Sequence, residues 1–243
     1  MGKWDLRADF KTVRGYLLCL IIFVVAVITS GRIANVGSVS VVDGTVLIRS
    51  NLYFCFLFLV SLFVFVTSTA LFYETYRKPA LAYLRTLPLS VWQTWVLRRA
   101  AYVLVLCVII LPAVWAGVQQ VTEGANNFIT IFHYDMPELT IDARPILIRC
   151  ALSINFYFLL TQLFLILSKS RIMTCLLLFV YCIAETEPLK GILGEYALFY
   201  GSFSPMPINV WWTHNLTCIA IGTVILEALT TAWYIRNFRT RQR

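Results

Sequence analysis

The chain has 243 residues, 60% of them hydrophobic and 13% charged, with a mean hydropathy of +0.78. A soluble domain carries charge on roughly a quarter of its residues, so this composition excludes a water-soluble globule and makes lipid the solvent for most of the surface. A net charge of +8 would suit nucleic acid in a soluble protein, but the cations here concentrate in particular loops and read as an orientation signal, not as a nucleic-acid surface.

Taken from the N-terminus, residues 3–14 pattern as a helix lying on the membrane surface. Leu6, Phe10, Val13 and Leu17 step by four, three and four, with Lys3, Arg7 and Arg14 on the neighbouring arc. The stretch feeds a first apolar span over about 16–30. A cleaved signal peptide is the other reading of this region, from its basic start and the apolar run at 16–28. The amphipathic pattern favours the uncleaved helix. Next comes VSVVDGTVLI, two β-rich runs joined by Asp43-Gly44. It reads either as a small β-hairpin or as an irregular loop.

A second span covers about 51–73, and the segment YETYRKPALAYLRTLPLS follows it at 73–90. Pro79 suits a first helical position and Pro88 a stop, which leaves about two helical turns between them. Leu81, Tyr83 and Leu84 form an apolar side, and Arg85 and Thr86 a polar one. Two turns are not stable alone, so this helix needs something to pack on. A third span is expected at about 95–118, kinked by Pro112. An acidic polar loop over about 119–145, with room for a short helix, carries Glu123, Asp135, Glu138 and Asp142.

A fourth span at about 146–168 carries Asn155, Thr161 and Gln162, and a short fifth covers about 172–184. Asn155 and Gln162 are candidates to line a path, or else to hold helices together. The run ILGEYALFYGSFSPMPINVWW is too broken by Gly and Pro to span and too apolar to lie in water. It is expected to be a re-entrant element, with Trp211 and Trp212 at headgroup level. The last span, about 215–235, contains Glu227. A carboxylate there must face the bundle interior or a cavity, as a pathway or gating residue, as a structural partner of an arginine, or as a protonated, hydrogen-bonded carboxylate.

Seven scattered cysteines form no C-x-x-C pair and only two histidines exist, so neither a disulfide framework nor a metal site is expected. Fifteen Lys and Arg fall in the two termini, the 2–3 connection and the 4–5 connection, against five in the other loops. The positive-inside rule then places both termini in the cytoplasm. The expected architecture is a single all-α polytopic domain over 1–243 with six transmembrane helices, in the plasma (inner) membrane.

Glu74, Arg77, Lys78, Leu81, Leu84, the Leu87-Pro88-Leu89-Ser90 turn and Arg98 or Arg99 form a pattern that resembles permease subunits of type-2 ABC exporters. That family follows its second span with an acidic residue, a basic residue and Gly-Thr-Leu, then a leucine, a Pro-hydrophobic-Ser turn and a base. Pro79-Ala80 stands here where Gly-Thr is usual. The six spans, surface helix and re-entrant stretch extend the resemblance over nearly the whole chain. It implies that residues 79–88 are a cytoplasmic coupling helix docking on an ATPase, with Glu74, Arg77, Lys78, Leu81, Leu84, Arg85 and Pro88 at that contact. It also implies two ABC ATPase subunits and a second permease subunit as partners, and a hydrophobic or amphipathic substrate.

The chain has no G-x-x-x-x-G-K-[ST] phosphate loop. It is therefore expected to have no catalytic site or cofactor of its own, with ATP and Mg on the partner chains. Two other classes remain open: a non-catalytic membrane partner or immunity-type protein, and a membrane-embedded enzyme. Against the enzyme stands the absence of a Gly-x-Ser-Gly motif and of an aspartate cluster in the spans.

Overall fold

A computed structural model describes residues 6–30, 36–42, 45–50, 62–73, 90, 92–132, 138, 140, 142–186 and 208–239. Within them six helices build the fold, and one two-stranded hairpin is attached. Three helical stretches are long and apolar enough to cross a membrane: Trp95–Ile131, Leu147–Ser168 and Leu216–Arg236. Three shorter apolar ones are Val13–Ala26, Leu62–Tyr73 and Arg171–Tyr181.

Helix α1 (Leu6–Ser30) is a single unbroken element of 25 residues, so the expected surface helix and first span are one helix. Of the expected stripe, Val13 and Leu17 are buried, and the stripe continues through Leu20 and Val24 at the same three-and-four spacing. Strands β1 (Val36–Val42) and β2 (Thr45–Ser50) pair antiparallel from Val36↔Ser50 to Val42↔Thr45. The hairpin is thus formed, with β1 against the third helix. The β-branched residues in both strands suit a pleated ladder.

Helix α2 (Leu62–Tyr73) is the described part of the second span. A π-helical turn, Trp92–Leu97, runs directly into α3 (Arg98–Ile131). At 34 residues, α3 is about 51 Å long. The helix therefore continues past 118, and the polar loop expected from 119 begins only after its end at 131. The cause is an apolar stripe that persists through the polar stretch: Val118, Ala125 and Ile129 stay buried while Glu123 and Asn127 point outward. Pro112 lies inside this helix, on an exposed position.

Helix α4 (Ala143–Ser168) starts where the Asp142 carboxylate accepts the Arg144 amide N–H at 3.0 Å. It stops at Lys169, which adopts a left-handed conformation (φ 54°) and donates its amide to the Leu165 carbonyl. After this tight turn α5 (Arg171–Thr186) packs back on α4, and α6 (Ile208–Arg239) packs on α4 as well. Trp211 and Trp212 are the first turns of α6 and not part of a broken element. The rest of the expected re-entrant stretch, and residues 74–89 with the whole coupling helix, lie outside the described residues.

Helix α4 is the centre. Every residue from 156 to 162 is buried, as expected of a helix apolar all round. It touches α3, α5 and α6, and α1 completes the bundle against α3. By contrast α5 exposes Ile172, Met173, Leu176, Phe179 and Val180 on one side, a face suited to lipid.

Candidate functional site

Trp95, Arg98 and Arg99 recur at i, i+3 and i+4, the spacing of one helix face. Glu227, Thr231 and Tyr234 do the same on α6 at i, i+4 and i+7. The two faces meet. The Arg99 guanidinium forms an ion pair with Glu227, whose other carboxylate oxygen accepts the Thr231 hydroxyl at 3.1 Å. Trp95 is fully buried. Its indole N–H donates to the Thr231 hydroxyl at 3.1 Å, and its ring stacks on Tyr234 at 4.8 Å. The chain Arg99–Glu227–Thr231–Trp95 thus returns to the helix face it started from.

The same turn of α3 is fastened to α2. Arg98 is buried, donates to the Leu71 carbonyl at 3.3 Å and lies 4.8 Å over the Phe72 ring. Phe72 meets Trp95 and Phe158 edge-on. At the end of α2, Tyr73 takes the Arg171 guanidinium over its ring at 4.3 Å. The last turns of α2, the first turns of α3, the α4–α5 turn and the second half of α6 therefore gather at one end of the bundle.

Two arginines at the start of α3, one buried against a carbonyl and an aromatic face and the other paired with a carboxylate, follow the rule that buried charges find partners. Glu227 thus stands in an arginine pair, one of the arrangements its sequence allowed. Gln162 is fully buried. Its amide donates to the Ser68 hydroxyl at 2.8 Å, and that hydroxyl donates to the Phe158 carbonyl at 3.4 Å. It ties α2 to α4, the helix-holding arrangement its sequence also allowed.

Asn155 does face an opening. It lies with Arg99, Cys107, Leu111, Trp115 and Ala151 along a groove of about 840 Å3 between α3 and α4. Glu74, Arg77, Lys78, Leu81, Leu84, Arg85 and Pro88 lie outside the described residues. Ser90 and the Trp92–Leu97 turn, which continue from them, lead straight into the junction.

Sequence reasoning singled out Glu227 but not its partners Thr231 and Trp95, nor the choice of Arg99. The usable signal was the matching spacing of polar groups on two apolar helices. No family model, curated protein or solved structure matches the chain.

Proposed function

We propose that the chain is a six-span permease subunit of an ATP-driven exporter, with both termini in the cytoplasm. It has a coupling helix between spans 2 and 3, a re-entrant element before span 6, and separate ATPase chains as the motor. It pairs with a second permease subunit to enclose a path for a hydrophobic or amphipathic substrate.

The observation that carries this reading is the junction itself. The segment bearing the coupling pattern ends at Ser90, and the turn that follows is fixed to α2 through Arg98 and Phe72 and to α6 through Arg99 and Trp95. A displacement of that segment reaches three helices at once, because packed interiors transmit strain and do not absorb it. Helices at all six expected positions support the span count, although α2 and α5 are short.

The test is purification of the chain with whatever binds it. An ATPase is expected to co-purify, with hydrolysis that depends on this chain. Replacing 79–88 by an unrelated helix of equal length should abolish the association and leave the chain in the membrane. Unchanged ATPase binding after that replacement would remove the coupling assignment.

A further inference from the structure

The chain enters α3 in a different winding from the one it keeps. Trp92–Leu97 is π-helical, and Leu97 passes into α3 with ordinary α-helical dihedrals (φ −64°, ψ −41°), so the two windings form one continuous rod. A π turn closes its hydrogen bonds over five residues and an α turn over four. It therefore holds one residue more than the α turn it replaces. Such turns are rare and frequent at functional sites, and no other occurs among the described residues.

The middle of the turn carries the reason it persists. Trp95 is fully buried, donates its indole N–H to the Thr231 hydroxyl at 3.1 Å and stacks on Tyr234 at 4.8 Å. The residues just after the turn are tied separately, Arg98 to the Leu71 carbonyl and Phe72 ring of α2 and Arg99 to Glu227 of α6. Those two ties hold the start of α3 whichever way the six residues before it are wound. Rewinding them as α, with no residue removed, turns the preceding chain by one residue step, about 100°. Trp95 lies halfway along and turns by about half that angle. For an indole about 5–6 Å from the helix axis this is a swing of about 5 Å, enough to part it from Thr231 and Tyr234.

We propose that Trp92–Leu97 is a two-state register switch, held in the π form by the docking of Trp95 on α6 and rewound to α when Trp95 leaves. Docking on α6 and rotation of the chain before α3 are then one event. A shift of α6 at Thr231 and Tyr234 sets the phase of that chain, and a turn imposed on the chain unseats Trp95, as reciprocal coupling requires. The inference rests on contacts within the bundle and does not depend on the exporter assignment.

In a cysteine-free full chain held in lipid nanodiscs, spin labels on Ser90→Cys and Ile172→Cys, both exposed positions, read the rotation by double electron–electron resonance. The otherwise unchanged chain should give one distance. The variant Thr231→Val, Tyr234→Leu removes one hydrogen bond and one aromatic contact. It should raise a second distance about tenfold in population, displaced by up to about 8 Å, the chord of a 100° turn at the same radius. Trp95→Ala should populate that same second distance from the other side of the contact. Deleting Leu97, which is half exposed, removes the extra residue and leaves an α turn with the preceding chain in its present phase. The second distance should then vanish from the α6 variant. Absence of the second distance from either full-length variant overturns the proposal, as do two different new distances. A second distance that survives the deletion reports a loosened α6 and overturns it too. Where the deletion does not fold, the agreement or disagreement of the two full-length variants decides.

Discussion

Glu227 is held by two groups of different character, the Arg99 guanidinium and the Thr231 hydroxyl, and its side chain keeps about a third of its exposure while that of Arg99 keeps 12%. The arginine is therefore the member that suffers when the pair is broken. Glu227→Met strands a mostly buried cation, and removing one partner of such a pair costs on the order of 3 kcal/mol. Arg99→Met leaves a carboxylate that retains Thr231 and more access to its surroundings, so its loss should be smaller. The double variant Arg99→Met, Glu227→Met strands no charge. It should be more stable than Glu227→Met alone, because apolar replacement of both members of a buried pair is often neutral. Thermal unfolding of the three proteins in one detergent checks the order. A double variant that loses the sum of both single losses would show that the pair contributes nothing as a pair.

Two helical glycines separate what packs an element from what merely forms it. A Cβ on Gly222 of α6 would come within 2.7 Å of the Phe156 ring of α4, itself buried, whereas a Cβ on Gly15 of α1 would meet nothing within 4 Å. Gly222→Val should therefore push α6 off α4 and lower the unfolding temperature, at a cost of roughly 1–3 kcal/mol for overpacking. Gly15→Ala should raise it slightly, by up to about 1 kcal/mol of helix propensity. Unfolding of both variants beside wild type measures the contrast.

The contrast also marks what sequence could reveal. The apolar runs located all six helices, because a run of that length has no other stable use in lipid. They misjudged the end of α3, since Val118, Ala125 and Ile129 are too sparse among polar residues to register as a stripe until their burial is seen. Glu227 stood out because a carboxylate in an apolar run must be explained. Its choice of Arg99 over Arg98 depends on which way two distant helices rotate against each other, which one sequence does not encode locally. Gln162 could line a path or hold helices together on sequence alone for the same reason, and its bond to Ser68 joins α2 to α4.

At the scale of the whole molecule, the junction brings together connections that the charge count assigns to one side. The contacts Arg99–Glu227 and Arg171–Tyr73 bring the start of α3, the α4–α5 turn and the second half of α6 to one end, and those are the connections in which Lys and Arg concentrate. The span count turns on α5. Its 16 residues reach about 24 Å, short of a 30 Å core, so a crossing requires the bilayer to thin around it. Glu138, exposed before α4, and Arg236, exposed near the end of α6, are separated by α4, α5 and α6. With three crossings they lie on opposite faces, and with two on the same face. In a cysteine-free background, Glu138→Cys should react with a membrane-impermeant maleimide on intact cells, and Arg236→Cys only after permeabilisation. The reverse pattern overturns the orientation. Reaction of both on intact cells, or of neither, leaves α5 inserted without crossing and reduces the topology to an odd number of spans.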